Sequence, residues 1–126
     1  MKLFIIGLFM IFSSACQNTK TSPLLTLEKE VLDFGKIKWD SILKTSFDFK
    51  NTGTDTLKLI NVSADCGCTQ VNYKKENIPP GQGSVIEVIY SPNINKDSGI
   101  VSKNIAIRSN SEPPIKVIKI KGEVVE

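Results

Sequence analysis

The sequence predicts an all-β chain folded as an antiparallel β-sandwich of about seven to eight strands over residues 24–126. Three observations carry this prediction. Short apolar segments alternate with polar positions at period two, turn-forming residues interrupt them at intervals of about ten residues, and no stretch sustains a helical period. A chain of 126 residues with 40% apolar and 23% charged residues fits one small domain with a single core.

The N-terminus reads as an export signal spanning residues 1–15. Lys2 supplies the positive charge, Leu3–Phe12 is an apolar run, and Ser13-Ser14-Ala15 places small residues before a cleavage point. That run is too short to span a bilayer, which takes about 20 residues. Ser-Ser-Ala-Cys resembles a bacterial lipoprotein box, in which Cys16 would carry lipid and become the first mature residue. Ser13 departs from the leucine preferred there, and cleavage of an ordinary secreted protein after Ser13-x-Ala15 is the alternative. Residues 16–23 are polar apart from Cys16 and Pro23 and read as a flexible tether. No acidic cluster follows Cys16, which favours the periplasmic face of the envelope over the cell surface.

Along the domain, Leu24–Glu28 and Val31–Phe34 are expected as short opening strands, the second closing at Gly35. Ile42–Lys50 sets Phe47 and Phe49 on one face and Ser46, Asp48 and Lys50 on the other, then meets the polar turn Asn51–Asp55. Leu57–Val62 shifts phase at Ile60, predicting a bulge or a strand buried on both faces. Thr69–Tyr73 continues after Cys66-Gly67-Cys68. Ile78-Pro-Pro-Gly-Gln-Gly83 is excluded from helix and central strand, because its prolines remove backbone donors. Val85–Tyr90 is an apolar strand stopped by Pro92, Asn93–Gly99 a polar loop, Val101–Arg108 an alternating strand, Ser109–Pro114 a turn, and Ile115–Val125 a long last strand. Prolines and lysines are expected to blunt the sheet edges.

Charge and composition exclude several functions. The net charge of +3 falls to +2 without Lys2, with 15 basic residues against 13 acidic ones. Those lysines are scattered singly, so no nucleic-acid footprint is present. Histidine is absent, and both methionines, Met1 and Met10, lie in the signal segment. The usual general acid–base group and any Ser–His or Cys–His pair are therefore missing, and no catalytic residue is assigned. Gly81-Gln-Gly83 lacks the strand–loop–helix setting of a phosphate loop, so no small-molecule substrate is identified.

Cys66 and Cys68 remain, a single pair if Cys16 is lipidated, in a chain whose export signal directs it out of the reducing cytosol. Three uses are open to them. They can form a disulfide across Gly67, a small strained ring whose three-residue loop adds only about 1.6 kcal/mol on the chain-entropy model. Strained, exposed disulfides are the labile ones, so thiol exchange is a coherent use. They can hold Cu(I), although a closed zinc site needs ligands this chain lacks. Or they can be packed small groups where a strand turns over the sandwich end, Gly67 permitting the bend and Thr69 resuming the strand. Asp65 beside them raises a thiol's pKa, which opposes fast catalysis. No metal or cofactor is assigned.

Phe47-x-Phe49-x-Asn51-Thr-Gly53, Leu57-x-Leu59-x-x-Val62, Cys66-Gly-Cys-Thr69, Ile78-Pro-Pro-Gly81, Ile86-x-Val88-x-Tyr90-x-Pro92 and Ile105-x-Ile107-x-Ser-Asn110 resemble, in that order, bacterial domain-of-unknown-function family 1573. The resemblance spans about Leu27–Val124. It implies an immunoglobulin-like sandwich related to the PapD-like and major-sperm-protein groups, often in exported lipoproteins, and implies no activity. The expectation is a lipid-anchored, non-enzymatic envelope protein that serves as an interaction or assembly module. It would be held to the membrane through Cys16 and could meet a protein partner by edge-strand pairing. The alternative is a periplasmic thiol-redox or copper-binding protein acting through Cys66 and Cys68.

Overall fold

The computed structural model describes residues 21–126 together with Ser14. The lipidation assigned to Cys16 and the signal segment other than Ser14 lie outside the described residues.

Among the described residues, nine strands and one helical turn follow in order: β1 Leu25–Leu27, β2 Val31–Lys38, β3 Leu43–Asn51, β4 Leu57–Ala64, β5 Thr69–Tyr73, β6 Asn77–Ile78, β7 Gly83–Tyr90, α1 Pro92–Asn95, β8 Gly99–Ser109 and β9 Ile115–Val125. They form two sheets, β1-β3-β7-β5 and β2-β9-β8-β4-β6. The alternation read from the sequence decides which residues meet between them. Phe47, Phe49, Ile86 and Val88 from one sheet face Ile105, Ile107, Ile118 and Ile120 from the other, all almost fully buried. Burial of each such side chain contributes about 1.5–3 kcal/mol before entropic costs, so this layer provides most of the driving force.

The phase shift at Ile60 is a bulge. Leu59 pairs with Ser109 and Asn61 with Arg108, leaving Ile60 without a partner and its side chain 54% exposed. Three features differ from the sequence reading. β2 does not close at Gly35; this glycine adopts φ +73°, accepts the position of a bulge, and the strand runs on to Lys38. β2 also lies parallel to β9, whereas the remaining pairings are antiparallel. Finally, the loop after Tyr90 opens with a helical turn, because Pro92 is preset for the first helical position.

Gly122 on β9 is fixed by contact. A side-chain carbon there would overlap the ring of Phe34 and lie 2.7 Å from the Gly35 carbonyl oxygen. Its absence lets Phe34 lie across β9 and tilt against Tyr90, with ring centroids 5.8 Å apart.

At one end of the sandwich, Asn51 is fully buried and satisfied on every side. Its Oδ1 accepts from the Leu24 and Gly53 N–H groups at 3.3 and 3.0 Å. Its Nδ2 donates to the Asp55 and Ile78 carbonyls at 2.7 and 2.9 Å. The chain enters at this same end: Ser22 accepts from the Thr54 N–H at 2.9 Å and donates to Thr54 Oγ1 at 3.2 Å. Since β3 spans roughly 27 Å from Leu43 to Asn51, the opposite end, where Leu43, Tyr90 and Thr69 are aligned, lies a full strand length from the entry point.

Candidate functional site

Cys66, Gly67 and Cys68 cap that opposite end, where the chain leaves β4 in one sheet and starts β5 in the other. Asp65 anchors the departure. Its N–H donates to the Asn104 carbonyl at 3.1 Å, and its Oδ2 accepts from the Asn104 N–H at 3.2 Å. The Thr69 N–H donates to the Cys66 carbonyl at 3.2 Å and closes a four-residue turn, while the Ser91 N–H donates to the Cys68 carbonyl at 2.9 Å and begins the β5–β7 ladder.

Cys66 and Cys68 are joined as a disulfide, with α-carbons 5.3 Å apart. The two sulfurs sit in different surroundings. Cys68 is 1% exposed and part of the core, whereas Cys66 is half-buried and Gly67 exposed. The Cys68 N–H points at Cys66 Sγ at 3.0 Å, and Thr69 Oγ1 lies 3.7 Å from Cys68 Sγ.

Gly67 sits in the tight bend expected from the sequence, but the bend does not require a glycine. Its φ lies outside the left-handed region, and an added side-chain carbon would meet nothing within 4 Å beyond the two adjacent cysteines. Lys74 and Lys75 do not approach the pair, because β5 carries them roughly 20 Å away along its length. Among the described residues no three of cysteine, aspartate and glutamate converge as a metal site.

Behind β5 lies a polar cluster that sequence reasoning missed. Tyr90, completely buried, donates from its hydroxyl to Asp97 Oδ2 at 2.6 Å. Lys103 Nζ reaches the same oxygen at 3.0 Å with little exposure of either side chain, and Asn95 Nδ2 donates to Asp97 Oδ1 at 2.8 Å. The Lys103 ammonium also lies 6.0 Å from the Tyr90 ring centroid. Burial pushes the Asp97 carboxyl up, but hydrogen bonds from Tyr90, Lys103 and Asn95 and the charge of Lys103 outweigh it and hold the group below its ordinary value. Burial, then the hydrogen bond to Asp97 and its charge, push the Tyr90 phenol well above its ordinary value. With both carboxylate oxygens engaged, Asp97 is a structural anchor that clamps the α1 loop to β8. An apolar strand ending in tyrosine, with one acidic residue in the loop beyond it, was the available signal.

The free edge of β5 borders the disulfide. Its register on β7 is unbroken from Thr69 opposite Tyr90 to Tyr73 opposite Ile86. Because Cys68 and Ser91 are hydrogen-bonded, the antiparallel alternation directs the backbone groups of Gln70 and Asn72 toward β7 and those of Val71 and Tyr73 outward. The other sheet edges are blunted. β1 has three residues, β6 has two, and β2 is bulged between Asp33 and Lys36. A groove of about 610 Å³ on the outer face of the β1 sheet, beside Asp48, Lys50 and Gly83, is a separate feature. No buried side-chain polar atom among the described residues lacks a partner, there or elsewhere.

Comparison with known proteins places this geometry. No curated protein matches the sequence significantly. Among solved structures, a protein of unknown function from Porphyromonas gingivalis is similar over 82% of this chain, with 21% identity and a TM-score of 0.73; the chain spans 47% of that protein's length. PapD-like domain 7 of human CEP192 is similar at 10% identity, covering 93% of this chain and 97% of that one, with a TM-score of 0.67. The periplasmic chaperone SfaE is similar at 9% identity over 79% of this chain and 55% of its own, with a TM-score of 0.56. These likenesses establish a PapD-like, immunoglobulin-like fold. The family described as protein of unknown function (DUF1573) matches residues 25–124, the span of the complete sandwich, and the chain belongs to that family.

Proposed function

We propose that this protein is a lipid-anchored, non-enzymatic interaction module of the cell envelope that binds a protein partner by adding a strand to the free edge of β5. The observation that carries the reading is that edge. It offers five residues in regular register, two of them, Val71 and Tyr73, with free outward N–H groups, while the other edges are short or bulged. An extended partner segment would gain main-chain hydrogen bonds from Val71 and Tyr73, and the exposed Gln70 and Asn72 would read its side chains. The lack of histidine supports a non-enzymatic role. The export signal and Cys16 support anchoring on the periplasmic face. The chain enters the sandwich beside Asn51, so a lipid on Cys16 would leave the disulfide end and the start of β5 facing away from the membrane.

Val71→Pro tests the reading. The lost N–H points outward and is not part of the β7 ladder, so the fold is retained while the edge is blocked. A photo-crosslinking residue at Asn72 is expected to capture a partner in living cells, and Val71→Pro to abolish the adduct. The same adduct from a probe at Asp48, or its persistence in Val71→Pro, would overturn the proposal.

A further inference from the structure

We propose that the Cys66–Cys68 disulfide is a thiol–disulfide exchange site, with Cys66 as the sulfur that an incoming thiolate attacks. The inference stands apart from the strand-addition reading, and either can fail without the other.

The bridge is a poor structural staple. It closes a loop of three residues, so it restricts the unfolded chain very little, and the turn around it is already held by backbone bonds. Asp65 is fixed to Asn104, the Cys66 carbonyl to Thr69 and the Cys68 carbonyl to Ser91, none of which depends on the sulfur–sulfur bond. Reduction would leave the backbone of both cysteines in place, with the two sulfurs turning apart to non-bonded distance.

Its position supplies direction. Cys66 is partly open to solvent and Cys68 is 1% exposed, so an incoming thiol meets Cys66 rather than Cys68. Exchange rates depend on which sulfur is attacked and on access to it. Each sulfur also has a donor nearby for the thiolate it becomes. The Cys68 N–H lies 3.0 Å from Cys66 Sγ, and the Thr69 hydroxyl lies 3.7 Å from Cys68 Sγ. The carboxylate of Asp65, adjacent in sequence, is occupied by the Asn104 N–H.

The co-reactant is a dithiol. One of its thiolates attacks Cys66 Sγ, the Cys66–Cys68 bond breaks, and Cys68 leaves as a thiolate that takes up a proton. The partner's second thiol loses its proton and attacks the partner sulfur of the mixed disulfide, releasing Cys66 as a thiolate that is then protonated. The partner ends as a disulfide and this protein as a dithiol, with two electrons transferred; the reverse reaction oxidises this protein.

The test uses the wild-type oxidised protein and reduced glutathione, quenched with acid and mapped by mass spectrometry. The expected adduct is on Cys66, in at least about ten-fold excess over Cys68, and the ratio of reduced to oxidised protein should follow the square of the reduced glutathione concentration divided by the concentration of oxidised glutathione. Adducts divided equally between the two cysteines, or a bridge that stays oxidised throughout, would overturn the proposal. With oxidised glutathione as the reagent, Cys68→Ser is expected to accumulate a stable glutathione adduct on Cys66 with release of one reduced glutathione, while Cys66→Ser reacts at least about ten-fold more slowly through Cys68. Equal rates in the two variants would also overturn it.

Discussion

Replacing Asn51 with alanine removes four hydrogen bonds at once from a fully buried position. The backbone bonds of residue 51, from its N–H to the Gln82 carbonyl and from the Gly81 N–H to its own carbonyl, remain. Two N–H groups and two carbonyls lose their partner, and the Ile78 carbonyl is in buried surroundings while the other three are partly buried. An unsatisfied buried group costs about 1–3 kcal/mol, and partly buried ones less, so the total is about 3–4 kcal/mol. With a urea dependence of about 1.5 kcal/mol/M, the unfolding midpoint should fall by roughly 2–3 M. Asn51→Asp discriminates between lost bonds and lost volume. It keeps the two acceptor interactions but turns a carboxylate oxygen toward the Asp55 and Ile78 carbonyls, so it should also destabilise strongly at neutral pH and recover partly on acidification. A midpoint shift below about 0.5 M for Asn51→Ala, or wild-type stability for Asn51→Asp at neutral pH, would refute the reasoning.

Four further outcomes follow from the fold. Because the folded Asp97 carboxyl lies below its unfolded value, its stabilising effect is present above the ordinary carboxylate range and is lost as pH falls through the folded value. Asp97→Asn should therefore unfold at lower urea than wild type at pH 7, with the gap closing in acid; Tyr90, shifted upward, should make the wild type lose stability as pH rises above about 10, a loss absent in Tyr90→Phe. Gly122→Ala should cost about 1–3 kcal/mol by overlap with Phe34 and Gly35, and less in a Phe34→Ala background, measured by a double-mutant cycle in urea. Cys66→Ser with Cys68→Ser should lower stability by no more than about 1.6 kcal/mol in urea unfolding and leave the crosslink from Asn72 intact.

Much of the fold was legible in the sequence because each strand has one buried face. Alternation around Phe47 and Phe49 placed β3, and its failure at Ile60 located the bulge. What alternation does not encode is which strands are neighbours, so the parallel seat of β2 on β9 was hidden. Gly35 looked like a stop because a positive-φ glycine serves equally as a terminator or a bulge. The Asn51 network and the Tyr90–Asp97–Lys103 cluster join residues that only folding brings together, and no local propensity marks them. At the site, sequence identified the cysteine pair and left three uses open. The difference in exposure between Cys66 and Cys68 arises from the turn geometry, which residue types alone do not specify.

Amide hydrogen exchange along β5 reports whether its outer edge is free to accept a partner strand. In the free protein, exchange should be slow at Gln70 and Asn72, which bond to β7, and fast at Val71 and Tyr73, which face outward. Addition of the partner captured from position Asn72 should slow exchange at Val71 and Tyr73. Protection of these two amides already in the free protein, or their unchanged exchange in the complex, would contradict strand addition at this edge.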